Sequence, residues 1–268
     1  MPTLERDGAS IYYDVQGAGP PLILGHSLLF DGRMWEGLVP RLAKDFRVLN
    51  VDARGHRHST TPGRFTLEDL ADDWLAILDQ EKIEKALLCG LSMGGMTAMR
   101  LALRAPHRVA AMALLDTSAD PEPVAQRRAY RVLAEIQRAI RLDPLVTPVV
   151  KLKMFGETTR RTRPETVAKG LAIFQDQDPK ALYPALRAVF DRPSIARHLS
   201  SIATPTLVLC GQEDVATPPD RSQKIATSIP GATLHMIPEA GHLSALEQPA
   251  TVADHLEPFL ARHGPPPN

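Results

Sequence analysis

The sequence predicts an α/β fold in which a mostly parallel sheet carries helices on both of its faces. The chain has 268 residues, of which 44% are apolar and 23% charged, and these are ordinary values for a globular protein. Nearly continuous apolar runs of strand length alternate with longer segments of helical periodicity. Strands buried on both sides are typical of parallel sheets, and about 250 residues often form one such core.

Short apolar or alternating runs predict the strands of this sheet. We expect the first two runs to form an antiparallel hairpin that turns at Gly8 and Ala9, and the others to lie between helices. The predicted strands are Thr3–Asp7, Ser10–Val15, Pro21–Gly25, Phe46–Asp52, Lys85–Gly90, Val109–Asp116, Thr206–Gly211 and Thr233–Ile237.

Segments with apolar residues at helical spacing predict the helices of the core. Thr66 and Asp69 form a capping-box pattern at the start of one helix, and Pro106 closes another. The predicted core helices are Thr66–Glu81, Met93–Ala105, Asp220–Ile229 and Pro249–Arg262.

The alternation stops between residues 119 and 203, where there is no clear strand pattern. Helical patterns interrupted by prolines fill this segment instead. We therefore predict that residues 119–203 form a helical cap, or lid, inserted into a core made of residues 1–118 and 204–268. Its helices are expected near Pro123–Arg141, Thr147–Phe155, Pro164–Asp176 and Pro179–Phe190.

Charge and composition argue against several classes of partner. The 31 basic and 31 acidic residues balance, so there is no electrostatic footprint for nucleic acid or an acidic membrane. No apolar run approaches the roughly 20 residues that a membrane span needs, and residues 1–8 lack the apolar region of a secretory signal. We therefore expect a cytoplasmic protein that acts on a small molecule, and we expect Cys89 and Cys210 to be buried free thiols. Monomer and homo-oligomer both stay open.

No cofactor is predicted. His26, His56 and His58 could be imagined with His242 as metal ligands, but their spacing matches no known zinc motif, so a structural or surface role is favoured. The chain also lacks the glycine-rich signatures of dinucleotide and nucleoside-triphosphate sites.

The segment Gly90–Gly94 has the pattern G-x-S-x-G and lies between a predicted strand and a predicted helix. In this context the glycines allow a tight, strained turn that exposes the hydroxyl of Ser92 at the carboxyl edge of the sheet. The pattern therefore predicts that Ser92 is a nucleophile.

A serine nucleophile needs a general base, and the base needs an orienting acid. His242 follows the last predicted strand, and Asp214 follows the strand before it. The order Ser92, Asp214, His242 is the one that strand–turn–helix serine hydrolases use. Glu213 and Asp116 are the alternatives for the acid, because one is adjacent to Asp214 and the other also ends a strand.

Two backbone N–H groups should bind the negative oxygen of the transition state. Met93, the residue after the nucleophile, is expected to supply one of them. The other should come from the loop after the strand that ends at Gly25, where Leu28 is our choice by position and Leu29 the alternative.

These motifs together resemble the α/β-hydrolase superfamily along nearly the whole chain. The resemblance implies an eight-stranded sheet whose second strand is antiparallel, with a cap between strands six and seven, and it implies Ser92, Asp214 and His242 as nucleophile, acid and base. Within the superfamily the chain resembles 3-oxoadipate enol-lactonases. The segments that carry the two resemblances are 24–27, 52–56, 90–96, 211–214, 216–219 and 241–249.

The favoured activity is hydrolysis of carboxylic esters through an acyl-enzyme intermediate. Enol-lactone hydrolysis is the main alternative, and a perhydrolase, a carbon–carbon bond hydrolase and a slow-turnover receptor are further ones. An enol-lactonase must hold a substrate carboxylate, but Arg127, Arg128 and Arg131 are expected to face water because unpaired buried charge is costly. An apolar pocket is predicted instead, lined by Leu28, Leu29, Leu133, Ile136, Leu145, Val149, Leu152, Phe155, Leu171 and Phe174.

Overall fold

The computed structural model describes residues 2–141 and 143–265, and its centre is an eight-stranded sheet with the strand order β1-β2-β4-β3-β5-β6-β7-β8. Six of the strands form a continuous parallel series, whereas β2 runs antiparallel to both β1 and β4. The predicted fold class is confirmed, including the antiparallel second strand. The strands are β1 Thr3–Arg6, β2 Ala9–Gln16, β3 Pro21–Gly25, β4 Arg47–Val51, β5 Ala86–Leu91, β6 Val109–Leu115, β7 Thr206–Gly211 and β8 Thr233–Ile237.

Helices cover both faces of the sheet and fill the connection between β6 and β7. The capping box of Thr66 and Asp69 is formed in both directions, and the helix begins one residue later. The helices are α1 Val39–Leu42, α2 Leu67–Gln80, α3 Met93–Arg104, α4 Val124–Ile140, α5 Asp143–Met154, α6 Glu157–Thr162, α7 Pro164–Gln175, α8 Pro179–Phe190, α9 Pro219–Ser228, α10 Ser244–Glu247 and α11 Pro249–His263.

One predicted helix start was wrong. The helix expected from Thr147 begins at Asp143, which places Pro148 inside α5. Asp143 and Pro144 offer a similar start signal to Thr147 and Pro148, a residue that favours helix N-termini followed by proline, one turn earlier along the chain. The prediction missed α1, α6 and α10 because segments of four to six residues are too short to show helical periodicity.

Between β6 and β7 the described residues form only helices and irregular segments. The N–H of Ile195 donates to the carbonyl of Ala119 at 3.0 Å, so the two ends of this connection meet. Helices α4 and α8 pack against each other, and so do α6 and α7. We refer to residues 119–203 as the inserted segment.

The core consists of two apolar clusters, one on each face of the sheet. Along β3, Leu22 and Leu24 belong to one cluster and Ile23 to the other, because successive strand side chains point to opposite faces. Cys89 and Cys210 are buried free thiols, as predicted. In the described parts of the chain no helix combines the length and the apolar character that a membrane span requires.

Candidate active site

Ser92 occupies the turn between β5 and α3. Its φ of 54° and ψ of −110° lie in a region that non-glycine residues rarely adopt, so the turn is strained. Hydrogen bonds hold the strained residue from the neighbouring strand end: the Ser92 N–H donates to the carbonyl of Leu115 at 2.9 Å, and the Thr117 hydroxyl donates to the Ser92 carbonyl at 2.7 Å.

The glycines of the G-x-S-x-G pattern are required by close packing within this turn. A Cβ on Gly90 would stand 2.2 Å from the carbonyl carbon of Gly94. Real Cβ contacts are never this short, so the backbone segments before and after Ser92 can approach each other only without side chains. The pattern read from the sequence is therefore a consequence of this local geometry.

Asp214 and His242 come together at the same edge of the sheet. Asp214 lies three residues beyond β7 and His242 five beyond β8, and the His242 Nδ1 is 2.9 Å from the Asp214 Oδ2. Asp214 also accepts hydrogen bonds from the N–H groups of Ala216 and Thr217 and from the Thr217 hydroxyl, at 2.8–3.0 Å. These donors fix the carboxylate, and both members of the pair are buried.

The two alternative acids lie elsewhere. Glu213 accepts hydrogen bonds from the backbone and the hydroxyl of Thr158 in the inserted segment. Asp116 bonds to Gly211 and Ser244, and no hydrogen bond joins it to His242. Of the three candidate acids, Asp214 is the one that contacts the imidazole.

The electrostatics of the pair favour a proton on the imidazole. Burial by itself lowers the pKa of His242, but the nearby carboxylates of Asp214, Asp116 and Glu247 outweigh it, so the pKa is raised above the ordinary histidine value. The Asp214 carboxylate also fixes the orientation of the ring through Nδ1, which leaves Nε2 for other partners.

Ser92 and His242 both line one cavity beneath the inserted segment. Its empty space is about 1200 Å³ when the open mouth is included, and most of its lining atoms are apolar. The predicted lining residues that face this cavity are Leu28, Leu29, Leu133, Val149 and Phe174.

The remaining predictions for the cavity lining were wrong. Phe155 and Leu171 pack into or against the main core. Ile136, Leu145 and Leu152 point outward, with exposures of 37%, 65% and 54%. The helices carry apolar residues on more than one face, so helical spacing alone could not choose the inner face.

The inner face of α5 is shifted by about one residue from the predicted one. Val146, Val149, Val150, Lys153 and Met154 line the cavity, a spacing that places them on one side of a helix. The prediction missed Lys153 because only arginines were considered as cations for this pocket. Lys153 lies three residues after Val150 and seven after Val146, and this spacing was the sequence signal that places all three on one face of the helix.

The arginines considered for the pocket do not line it. Arg128 is exposed, as expected. Arg131 is half-buried and forms an ion pair with Asp191, and Arg127 donates to the carbonyl of Phe190 at 3.3 Å. These contacts hold α4 against α8 rather than reaching the cavity.

The two residues predicted to bind an oxyanion through their amides are Met93, which follows Ser92 in the chain, and Leu28, which lines the same cavity. Met93 is the first residue of α3, where N–H groups have no partner within the helix. Leu28 lies in the loop after β3 and lines the cavity beside Ser92, and no hydrogen bond from its N–H is found within the described part of the chain. Leu29, the alternative, also lines the cavity and has a φ of 72°.

The three other histidines considered as metal ligands, His26, His56 and His58, lie outside the candidate active site. The ring of His26 accepts from the Ala53 N–H at 2.9 Å and donates to the Ser27 carbonyl at 2.8 Å. His56 is fully buried, and burial lowers its pKa to about 3. His58 is exposed and packs edge-on against Tyr12. None of the three lines the cavity that contains His242.

One group among the described residues has metal-ligand spacing, namely Asp116, Cys210 and Asp214. The oxygens of both carboxylates already accept hydrogen bonds from backbone or side-chain donors. Burial also raises the pKa of the Cys210 thiol, which keeps it protonated. This donor set does not fit a metal ion.

The sequence of this chain is similar to those of known hydrolases over most of its length. The profile of the alpha/beta hydrolase fold matches residues 20–249. A protein named 3-oxoadipate enol-lactonase 2 from Acinetobacter baylyi is 29% identical over 97% of this chain and 96% of its own length.

Two solved structures superpose closely on nearly the whole chain. A thermophilic esterase from Thermogutta terrifontis superposes with a TM-score of 0.92 at 30% identity, covering 98% of this chain and 97% of that one. The enol-lactonase from Burkholderia xenovorans LB400 superposes with a TM-score of 0.90 at 30% identity, covering 97% of this chain and 100% of that one.

Proposed function

The chain belongs to the alpha/beta hydrolase fold family, and on that premise we propose that it is a serine hydrolase of carboxylic esters. The observation that carries the proposal is that Ser92, on its strained turn, and His242, paired with Asp214, open onto one apolar cavity. The similarity to an esterase and to enol-lactonases supports the same class of reaction.

In the proposed reaction Ser92 attacks the acyl carbon of the ester while His242 takes the proton of its hydroxyl. Asp214 holds the imidazole in the tautomer that can accept this proton and stabilises the imidazolium that forms. His242 then gives the proton to the leaving alcohol, which departs and leaves an acyl group on Ser92. A water molecule, deprotonated by His242, hydrolyses this acyl-enzyme and releases the acid.

The negative oxygen of the tetrahedral intermediate is bound in this proposal by the N–H groups of Met93 and Leu28. The start of α3 adds the favourable end of a helix dipole beside Ser92. Amides fixed in place before the reaction cost no reorganisation when the charge develops, and one such donor typically contributes about 100-fold or more to kcat.

We further propose that the inserted segment is the cap that selects the substrate. It contributes the greater part of the cavity wall, including Leu133, Val149 and Phe174, whereas Ser92 and His242 come from the sheet side. Apolar walls discriminate by only about 1–3 kcal/mol per methylene. A range of short to medium acyl esters should therefore be accepted.

Lys153 favours a second candidate, the hydrolysis of a lactone or ester that carries a free carboxylate. The acidic side chains of the cavity are already paired, Glu122 with Arg192 at 2.9 and 3.0 Å and Asp143 with Arg141 at 3.1 Å. The ammonium group of Lys153 has no ion pair or hydrogen bond with any described residue. A substrate carboxylate could supply the missing partner, as enol-lactone hydrolysis requires.

The test is turnover by the purified protein. We expect p-nitrophenyl butyrate to be hydrolysed over many cycles, with Ser92→Ala folded but inactive, and a fluorophosphonate to label Ser92 alone. Labelling at another serine would contradict the assignment of the nucleophile.

Three further outcomes would each indicate a different activity on the same triad. A burst of one product equivalent followed by negligible turnover would indicate a receptor that retains the triad. Cleavage of a carbon–carbon bond in preference to an ester would indicate a carbon–carbon bond hydrolase. Formation of a peracid in preference to ester hydrolysis would indicate a perhydrolase.

A further inference from the structure

Asp116 is a fully buried carboxylate that the proposed reaction does not use. It follows β6 directly and has a φ of 46°, a conformation that is strained for a non-glycine residue. Its Oδ1 accepts the Gly211 N–H at 2.8 Å, and its Oδ2 accepts the Ser244 N–H at 3.1 Å and contacts the Ser244 hydroxyl at 2.5 Å. A strained residue with this many bonds is held in place by its surroundings.

Both partners of Asp116 lie close to members of the proposed triad. Gly211 ends β7, three residues before Asp214, and Ser244 begins α10, two residues after His242. The Asp116 side chain therefore connects the turn that carries the acid with the loop that carries the base. These two loops are joined by the His242–Asp214 bond, by the hydrogen bond from the Glu213 N–H to the Ala240 carbonyl at 2.8 Å and by the contact of the Thr217 hydroxyl with His242 at 3.2 Å, and Asp116 links them once more.

The neighbours of Asp116 in the chain contact the third member of the triad. The carbonyl of Leu115 accepts the Ser92 N–H, and the hydroxyl of Thr117 donates to the Ser92 carbonyl. Residues 115–117 thus touch all three turns that carry Ser92, Asp214 and His242.

We propose that Asp116 is a positioning residue that sets the spacing between the Asp214 turn and the His242 loop through Gly211 and Ser244. This inference rests on the proposed function, because it assigns a role relative to that triad. Asp116 forms no hydrogen bond with His242, so it acts through the loops and does not exchange a proton with the imidazole.

The surroundings of Asp116 shift its pKa upward on balance. The titratable groups that face it are Asp214 and Cys210 from β7 and the turn after it, and His242 from the loop after β8. Burial, together with the charge of Asp214, raises the pKa of Asp116 well above its ordinary value.

The test compares Asp116→Asn, Asp116→Ala and Ser244→Ala in the full-length enzyme with p-nitrophenyl butyrate. Asparagine keeps an acceptor for the Gly211 N–H and gains a donor for the Ser244 hydroxyl oxygen, but it loses the acceptor for the Ser244 N–H. Asp116→Asn should therefore retain much more of the wild-type kcat than Asp116→Ala. Asp116→Ala removes the link, and displacement of the imidazole by about 1 Å should lower kcat by about 100-fold with KM little changed. Ser244→Ala should lower kcat as well, and the double variant should be no worse than Asp116→Ala.

The pH profile separates positioning from simple stabilisation. In Asp116→Ala the acid limb of kcat/KM should lie at lower pH than in Asp116→Asn, because both variants remove the carboxylate of Asp116 but only the alanine also separates the imidazole from Asp214. Asp73→Asn is the matched control: Asp73 is another buried carboxylate, bonded to Arg54 at 2.6 and 2.7 Å outside the cavity. It should lower the melting temperature and leave the acid limb in place.

Two results would overturn the proposal. One is an Asp116→Ala enzyme with wild-type kcat and an acid limb no lower than that of Asp116→Asn. The other is a loss of kcat in Asp116→Asn as large as in Asp116→Ala, since the amide then fails to rescue the link. Failure of the proposed function would look different, because the wild-type enzyme itself would neither turn over the ester nor be labelled at Ser92.

Discussion

Gly94 lies so close to Gly25 that a Cβ on Gly94 would stand 2.1 Å from the Gly25 carbonyl oxygen. The Gly94 N–H also donates to the carbonyl of His26 at 3.1 Å, so the start of α3 and the end of β3 are in direct backbone contact. In the proposed mechanism this contact fixes the distance between the nucleophile turn and the loop that carries Leu28.

The first prediction concerns that contact. Gly94→Ala should destabilise the protein by about 1–3 kcal/mol, because the added methyl group meets backbone that cannot yield easily. It should also lower kcat more than it raises KM, since the two oxyanion amides move apart. Thermal melts and steady-state kinetics measure both effects.

Gly231→Ala is the control for this prediction. Gly231 has a positive φ of 74°, and nothing lies within 4 Å of the Cβ it would gain. The variant should lose some stability from backbone strain and retain its kcat. Equal kinetic losses in the two variants would contradict a role for the Gly94–Gly25 contact.

The second prediction concerns the orienting acid. Asp214→Asn should lower kcat by a factor of order 10⁴, because the amide favours the wrong imidazole tautomer and cannot stabilise the imidazolium. Glu213→Gln is the neighbouring control, and it should keep kcat near wild type because Glu213 bonds to Thr158 rather than to His242. The reverse outcome would move the orienting role away from Asp214.

The third prediction concerns pH. His242 must be neutral to act as a base, and its pKa in the folded protein is raised above the ordinary value of 6.5. The value of kcat/KM for a neutral ester should therefore fall as the pH drops, with a midpoint above 6.5. The activity is present above the raised pKa and is lost below it.

An exposed histidine provides the control for this profile. His58→Gln should leave the midpoint unchanged, because His58 lies outside the cavity. Asp214→Asn should move the midpoint of the residual activity downward, since burial then acts with less opposition. A wild-type midpoint below 6.5 would show that the carboxylates do not outweigh burial at this imidazole.

The features that the sequence predicts well are those that depend on residues close together in the chain. Gly90 and Gly94 identify the Ser92 turn because its geometry excludes side chains, and the strand ends place Asp214 and His242 at one edge of the sheet. Thr66 and Asp69 mark a helix start through contacts three residues apart. In each case the physical cause lies within a few residues of the pattern.

The features that the sequence does not predict depend on contacts between distant residues. The hydrogen bond between Asp116 and Ser244 joins residues that are 128 positions apart in the sequence, and no sequence pattern near either residue predicts it. The inner face of α5 was misassigned because Leu145 and Leu152 are as apolar as the residues that line the cavity. Packing against the rest of the molecule decides such choices.

The fourth prediction concerns Lys153 and distinguishes the two candidate functions. We expect kcat/KM for a p-nitrophenyl ester of glutaric acid, which carries a free carboxylate, to depend on Lys153, whereas the value for p-nitrophenyl butyrate should not. Lys153→Met preserves the apolar stem and removes the charge, so the ratio of the two values should fall by about tenfold, as befits a partly screened ion pair.

Lys151→Met is the matched control, because Lys151 lies on the same helix, is exposed and does not line the cavity. It removes the same charge from the protein as a whole, so a long-range electrostatic effect would appear equally in both variants. Lys153→Arg should restore most of the ratio. If the ratio is the same in wild type and Lys153→Met, the ammonium group is simply hydrated at the cavity mouth. The proposal that the substrate carries a free carboxylate is then contradicted. If the ratio falls only in Lys153→Met, and the carboxylate-bearing ester is also the better wild-type substrate, the second candidate displaces the general esterase.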